Sequence, residues 1–406
     1  MKQGGVRYLS AGLITVAFLG GPVEGAAQAD TILAADTILA QEGIYNRPFI
    51  TSVGRTAIGG YVEGNTNWFK EDGLGEGFSM ELRRFNIFLF STISPRIRLI
   101  AELEFEHGTE EIALETALID FRVSPSLGLR GGIILPPIGF FNQNHDSPNW
   151  NFVERPLVST EIIPSTLSEV GFGVFGKFFP GKVTVSYDLY LTNGLRDGIV
   201  VNDQGRTHIP SGKSEEQFGE DNNGSPALSG RLAARVPGLG EVGGSFYTAK
   251  YNTFVIEGDK VDDVRRVSIL AFDAQTSQPW GEVRVEVALA DIDVPASLSE
   301  LFGDRQWGGH IDVTVPVWRP RMAGYPRHST LELGLRLERL DMNVGTFSTT
   351  GSNIFDETTA FVPSISFRPT SDTVFSFNYR REWHRDMQGN PTVITAGYQF
   401  GLATYF

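Results

Sequence analysis

The chain has 406 residues, a formal net charge of −14 and no cysteine. The acidic balance argues against a nucleic-acid partner, because few basic side chains are free to neutralise phosphates, and the lack of cysteine excludes disulfides, thiolate metal sites and haem attachment. With 46 Gly, 29 Phe and only 41% hydrophobic residues, the composition fits alternating apolar and polar positions rather than a bundle of membrane helices. Nothing in it indicates a cofactor.

Residues 1–29 have the pattern of a secretory signal peptide. Lys2 and Arg7 precede an apolar core from Leu9 to Leu19, and Ala27 and Ala29 provide small residues for cleavage. The core is too short to span a bilayer, although an uncleaved anchor is the alternative. The sequence ADTILA then occurs twice between Ala29 and Ala40. We expect residues 30–54 to form a short periplasmic segment and residues 55–406 to form the folded domain.

From residue 55 onward the dominant pattern has a period of two. In Arg96–Glu106, for example, Ile97, Leu99 and Leu103 alternate with charged side chains. This alternation predicts strands with one apolar and one polar face. The doublet Arg83-Arg84 reverses the parity in its segment, which predicts a β-bulge, with two arginines aimed at the mouth of a pore as the functional alternative.

About sixteen such segments can be counted. They start near Arg55, Phe78, Pro95, Glu110, Leu127, Thr166, Gly181, Pro226, Leu239, Asp263, Gln278, Trp307, His328, Glu357, Ser371 and Pro391. Short connections with Pro or Gly alternate with long polar ones, whereas a soluble sandwich, the alternative, has no such regular asymmetry. An even strand count with this layout predicts a closed antiparallel transmembrane β-barrel, with lipid and lipopolysaccharide outside and water inside.

The last strand, AGYQFGLATYF, presents Tyr398, Phe400, Leu402 and Phe406 on one face, which we expect to contact hydrocarbon. The ending resembles the signal read by the barrel-assembly machinery of the Gram-negative outer membrane. Gln399, Gly401 and Phe406 fit that signal, while Thr404 stands where an aromatic residue is usual.

The connection from Pro136 to Ser165 is too long for a hairpin loop. It combines four aromatic residues with polar ones that include His145, Asp146, Glu154 and Arg155. The corresponding loop of general porins folds into the barrel. We expect the same here, because the aromatic side chains favour packing against a wall; an extracellular lid is the alternative.

Parity also places a set of charged side chains on the lumen face. The basic members are Arg84, Arg96, Arg98, Arg231, Arg235, Arg284, Arg336 and Arg380; the acidic members include Glu102, Glu104 and Glu286. Arginines that line a pore favour anions, but with so many carboxylates they could equally form ion pairs that stiffen the wall. We therefore expect a channel of weak selectivity.

Several stretches resemble the phosphate-selective porin O and P family. They are MELRRFN at Met80–Asn86, ELEFE at Glu102–Glu106, GGIILPPIG at Gly131–Gly139, VERPL at Val153–Leu157 and EVG at Glu169–Gly171. The resemblance covers about the first third of the barrel. It implies a sixteen-stranded, homotrimeric barrel that conducts small solutes passively, with phosphate or other anions favoured in some members.

Two other functional classes are weighed against a channel. A barrel enzyme would need a nucleophile beside a base, and none of the six histidines has a Ser or Asp partner at a familiar spacing; all fall in or beside expected loops and strand ends. A plugged structural or adhesive barrel is the second class. Its loops could bind Ca²⁺ at Ser214–Gly224, but this stretch lacks the ligand spacing of a calcium loop, and no metal site is expected.

Overall fold

The computed structural model describes Arg47 and residues 51–75, 77–319 and 329–406. The expected signal peptide and most of the 30–54 segment lie outside these residues and remain predictions. Within the described residues, no helix has both the length and the apolar composition that crossing a membrane would require.

The described residues form sixteen antiparallel strands of one sheet. They are β1 (Thr56–Glu71), β2 (Ser79–Ser94), β3 (Ile97–Glu106), β4 (Glu111–Ser124), β5 (Leu127–Ile134), β6 (Glu169–Phe178), β7 (Thr184–Thr192), β8 (Ala227–Val236), β9 (Gly240–Lys250), β10 (Arg266–Gln278), β11 (Gly281–Ile292), β12 (Arg305–Trp318), β13 (Thr330–Asp341), β14 (Glu357–Arg368), β15 (Thr373–Arg385) and β16 (Val393–Tyr405). Every one of the sixteen begins within three residues of its expected start.

Each strand pairs with the next, and β16 pairs back with β1 in a register that runs from Tyr61 with Tyr405 to Glu71 with Thr395. Two further hydrogen bonds join Gly60 and Phe406 at this seam. The sheet therefore has no open edge along the seam, and the predicted closed sixteen-stranded barrel is confirmed. Two short strands, Thr51–Val53 and Leu74–Gly75, extend the sheet beside β1.

The two faces of the strands separate as the period-two pattern predicts. In β16, Tyr398 and Phe400 are 46% and 43% exposed on the outside, whereas Gln399 between them is 1% exposed on the inside. In β2 the predicted bulge is present, because Glu63 pairs with Arg84 and Gly64 with Leu82, which leaves Arg83 as the extra residue. The bulge restores the outward direction of the apolar side chains on both sides of it.

The connections differ between the two ends of the barrel. At the short-turn end they comprise 95–96, 125–126, 179–183, 237–239, 279–280 and 369–372, together with 319–329, of which only Arg319 and Ser329 are described. At the opposite end two long connections stand out, residues 135–168 and 193–226, which we call L3 and L4. L3 contains the short helix α1 (Leu157–Glu161) and the 3₁₀ turns Phe141–Gln143 and Ser147–Asn149. L4 contains three further 3₁₀ turns, at Asp197–Ile199, Ile209–Gly212 and Glu215–Phe218.

Candidate functional site

L3 folds into the barrel, as expected, and crosses its lumen. The Gly139 N–H donates to Ser245 of β9 (2.8 Å), Ser147 Oγ to Glu63 of β1 (2.5 Å), and the Val153 N–H to Asn378 of β15 (3.1 Å). On the circumference of the barrel, β9 lies on the far side from β1 and β15, which are separated only by β16. A loop held from opposite walls acts as a transverse partition, so it sets the cross-section left for a solute.

Glu286 of β11 is the most connected anchor of L3. Its carboxylate accepts hydrogen bonds from the Phe140 N–H (2.6 Å), the Phe141 N–H (3.1 Å) and Ser159 Oγ (2.8 Å). Gly139 permits this approach, because its φ is +63° and a Cβ at this position would lie 2.8 Å from a Glu286 oxygen. The carboxylate thus orders both arms of the loop.

Most of the predicted lumen arginines are ion-paired with neighbouring carboxylates. Arg336, which is fully buried, bonds Asp312 through Nε and Nη2, both at 2.7 Å. The same kind of contact, given with its partner in each case, is made by Arg84 (Glu63, Glu106), Arg98 (Asp120), Arg231 (Asp273, Glu241), Arg235 (Glu241), Arg284 (Glu282) and Arg380 (Glu338, Glu382). These side chains form ladders along the wall, which is the structural alternative given above for them.

Of the remaining members of the predicted set, Arg96 departs from its expected position, whereas Glu102 and Glu104 keep theirs. Arg96 lies in the turn between β2 and β3 and is exposed, so it does not share the lumen with the others. Glu102 and Glu104 face inward, and both accept a hydrogen bond from Asn86 at 2.6 Å. They belong to a buried acidic group on the β3 side of the barrel.

One side of the lumen is apolar, which the alternation did not reveal. L3 residues Ile138, Val158 and Ile163 pack with L4 residues Ile199 and Ile209. Small and β-branched side chains from the wall complete the cluster, among them Ala249, Val267, Ile269, Ala271, Ala288 and Ala290. Because L3 and L4 cover this wall, its inward face can be apolar without touching water.

Opposite this apolar cluster lies a cavity of about 670 Å³, toward the long-loop end. The described residues that line it include seven acidic side chains and five basic ones, the latter being Arg83, Arg84, Arg155, Lys213 and Arg380. The two signs are mixed and nearly balanced.

Two loop side chains at this cavity have shifted pKa values. Burial alone would raise the pKa of Glu154, but the charges of Arg83, whose Nη2 lies 3.0 Å away, and Arg380, with the hydrogen bonds from Arg83 and Gln399, together outweigh burial and lower it. Burial, reinforced by the charge of Arg155, lowers the pKa of Lys213. Arg155 donates to Thr166 Oγ1 at 3.1 Å and stands near the Phe141 ring, and no carboxylate of the described residues is within ion-pair distance of it.

A second cavity of about 320 Å³ lies toward the short-turn end, on the other side of L3. Arg284, Glu282, Glu332 and Arg368 line it together with polar side chains of L3. The lumen therefore holds water-sized space on both sides of the loop. Any solute that crosses the barrel must pass between these two spaces beside L3.

The structure adds Lys213 and Arg47, which sequence reasoning did not select, and Arg83, which it weighed only as an alternative. Arg83 faces the cavity and bonds Glu154, and Lys213 reaches the same cavity from L4. Arg47, which precedes the barrel in the chain, is buried inside it, bonds Asp146 at 2.8 and 2.7 Å, and lies 2.7 Å from Glu102. Only the Arg83-Arg84 doublet carried a sequence signal, since Arg47 and Lys213 lie in segments without strand periodicity.

Gln399, which the sequence analysis assigned to the expected assembly signal, faces the lumen and contacts L3. Its Nε2 donates to Glu154 Oε1 (2.7 Å) and to Asn67 Oδ1 (2.9 Å), so it helps to hold L3. Gly401 also faces the loop, because a Cβ there would lie 3.0 Å from the Val153 side chain. The pattern near the end of the chain therefore also serves the partition.

The expectation that every histidine falls in or beside a loop or a strand end fails at His310. His310 is buried in the middle of β12, and His145 is buried in L3. His208 has Nδ1 at 2.7 Å from Ser211 Oγ, yet its Nε2 is 3.5 Å from Glu161, beyond the reach of a normal hydrogen bond. His328 lies outside the described residues. In Ser214–Gly224, Glu216 pairs with Arg196.

Comparisons with known proteins show which other proteins this chain and its fold resemble. No family model matches the chain. A segment of 198 residues is 30% identical to an uncharacterized protein of Aquifex aeolicus (strain VF5), and the match covers 47% of this chain and 43% of that protein. The chain thus spans less than half the length of that relative.

Three solved structures resemble the barrel over most of its length. The anion-selective porin from Comamonas acidovorans has 10% identity, covers 86% of this chain and 99% of its own, and has a TM-score of 0.53. The outer membrane channel DcaP of Acinetobacter baumannii has 10% identity, covers 89% of this chain and 99% of its own, and has a TM-score of 0.53. The trimer form of OmpT, an outer membrane protein of Vibrio cholerae, has 10% identity, covers 86% of this chain and 99% of its own, and has a TM-score of 0.51. At such identities the likeness establishes the fold.

Proposed function

We propose that this protein is a porin of the bacterial outer membrane that lets small ions and solutes, phosphate among the anions, diffuse passively with weak selectivity. The observation that carries the proposal is the pair of charged cavities on opposite sides of L3 within a closed barrel. The outward apolar face suits lipid on all sides, and mixed charge inside suits water. Lipopolysaccharide and the barrel-assembly machinery are the partners that such a location entails.

The weak selectivity rests on how the charges are paired. An arginine bonded to a carboxylate presents little net field to a passing ion, and most of the lumen arginines are bonded in this way. Membership of the phosphate-selective porin O and P family remains part of the proposal. A homotrimer, which that resemblance implies, is supported by the trimer form of the Vibrio protein.

Single-channel recording in planar bilayers tests the proposal. We expect discrete conductance steps and, in a salt gradient, a reversal potential close to zero. Arg155→Ala should shift the reversal potential toward cations, because Arg155 is the cavity arginine without a carboxylate partner among the described residues. Arg155→Lys, which keeps the charge, should restore it. A strong preference for phosphate in the unaltered protein would contradict weak selectivity.

A second candidate is a plugged structural barrel with no transport role. L3 bonded to opposite walls and Arg47 inside the lumen favour it. The same recordings distinguish the two, because a plugged barrel inserted in a bilayer gives no conductance steps. An enzymatic role has less support, since no second partner among the described residues hydrogen-bonds the His208 ring and orients it toward Ser211.

A further inference from the structure

A buried group of three side chains joins L3 to the wall at β3 and β4. His145 is 1% exposed, Glu102 0% and Glu115 5%, and one ligating atom from each lies within 4.8 Å of the others. Asp146 and Arg47 flank the group. Glu102 and Glu115 come from adjacent strands, whereas His145 comes from the partition loop, so the three meet only in the folded barrel.

The orientation of His145 is set by the backbone. Its Nδ1 lies 2.9 Å from the carbonyl oxygen of Asn142, an acceptor, so Nδ1 carries a hydrogen and donates it. In the neutral ring Nε2 then bears a lone pair, and it lies 3.1 Å from Glu115 Oε1. Two hydrogen-bond acceptors this close to each other repel unless a cation is bound between them. A histidine whose other nitrogen is tied to a backbone carbonyl is the arrangement that metal ligands adopt.

Glu115 supplies the second, independent observation. Neither of its carboxylate oxygens, nor His145 Nε2, receives a hydrogen bond from the part of the chain that the structure describes. A buried carboxylate without a donor is costly, because it has lost its water and gained no replacement. A Glu115 oxygen and the His145 Nε2 nitrogen are thus both buried without a donor and 3.1 Å apart.

The charges around this space do not balance. Glu102, Glu115 and Asp146 bring three negative charges, against which Arg47 brings one positive charge, through contacts of 2.7 Å to Glu102 and 2.7 to 2.8 Å to Asp146. Arg47 does not contact Glu115. With all three carboxylates ionised and His145 neutral, two positive charges are missing, which is the charge of one divalent cation.

We propose that His145, Glu102 and Glu115 bind a divalent transition-metal cation of the Zn²⁺ type, which fastens L3 to the wall. One imidazole and two carboxylates are a ligand set that Zn²⁺ accepts, with the fourth position left to water. Ligand bonds of about 2.0 to 2.2 Å place the donor atoms of a tetrahedral site about 3.5 Å apart, so the proposed site requires a small rotation of the glutamate side chains. The proposal does not depend on whether the barrel conducts.

Calorimetric titration of the chelator-treated, detergent-solubilised barrel with Zn²⁺ tests the site. We expect one Zn²⁺ per chain, and no detectable binding at the same concentrations in His145→Ala and Glu115→Gln. His107→Ala is the matched control, because His107 is an exposed histidine that contacts a carboxylate, Glu81, on the wall. It should bind like the unaltered protein. No binding by the unaltered barrel, or binding lost in His107→Ala and retained in His145→Ala, overturns the proposal.

If the two site variants do not fold, X-ray absorption of the zinc-loaded unaltered barrel decides. One imidazole with short oxygen ligands supports the site, whereas a spectrum without imidazole, or with more than one, contradicts it. A protonated His145 that bonds Glu115 without metal is the rival account of the geometry. It predicts no stoichiometric uptake of Zn²⁺ at neutral pH.

Discussion

At the scale of single residues, the lumen shows how a polar interior can be both charged and rigid. Arg336 is fully buried, yet its guanidinium bonds both oxygens of Asp312, donates to the Glu154 carbonyl at 2.7 Å and lies over the Phe152 ring. The planar fork of arginine matches a carboxylate with two parallel bonds, which lysine cannot do. The side chain thereby links β12, β13 and L3.

Arg336→Ala should destabilise the barrel strongly, because it leaves the Asp312 carboxylate buried without its bidentate partner. Breaking a buried pair on one side costs about 3 to 5 kcal/mol, and urea unfolding in lipid vesicles measures it. Arg305→Ala is the control, since Arg305 pairs with Asp291 at 3.4 Å while both side chains are largely exposed. We expect no measurable change there, and equal losses in the two variants would refute this account of the ladders.

At the scale of elements, L3 depends on a few anchors that lie in strands far from it in sequence. Glu286 lies 145 and 146 residues along the chain from the two residues whose backbone amides donate hydrogen bonds to it. Sequence alternation placed this carboxylate inside the barrel but could not indicate its partners. The pairing follows from the curvature of the closed sheet, which brings β11 opposite the loop.

Glu286→Ala should loosen L3, because three donors lose their common acceptor. The expected result is a larger and noisier single-channel conductance, with the barrel still folded in detergent. Glu241→Ala serves as the control, since Glu241 is also a buried lumen carboxylate, but its ion pairs are with Arg231 and Arg235 of the wall. Unchanged conductance in Glu286→Ala, or the same rise in both variants, would argue against Glu286 as an anchor.

At the scale of the whole molecule, the seam between β1 and β16 closes the barrel. Phe406 takes part with its backbone, through the hydrogen bonds to Gly60, and with its ring, which stacks on Phe85 at 5.5 Å between centroids. The terminal residue is therefore structural as well as a candidate recognition element. The two roles can be separated by experiment.

Deleting Phe406 should reduce both insertion in cells and closure in vitro, because ring and backbone are lost together. Phe406→Ala keeps the backbone bonds. If the ring is the signal read by the assembly machinery, this variant should insert poorly in cells yet refold into detergent almost as well as the unaltered chain. Heat-modifiable electrophoresis of outer-membrane and refolded samples measures both. Undiminished insertion of the deletion variant would contradict the signal.

The sequence by itself determined the strands, their starts, the bulge at Arg83-Arg84, the closed sixteen-stranded barrel and the inward course of L3. It could do so because alternation with a period of two is a local property, and because an outward apolar face with no partner requires closure. The same parity located the lumen side of Arg336 and Glu286 without reference to any contact.

Only the tertiary structure decided which lumen charges meet, which wall is apolar, and that Arg47 lies beside Asp146 within the barrel. These facts depend on the register between strands and on the path of L3 and L4, which no local pattern encodes. The His145, Glu102 and Glu115 group illustrates the reason. Its members stand 13 to 43 positions apart in the chain, and only barrel closure and the turn of L3 bring their ligating atoms within 4.8 Å.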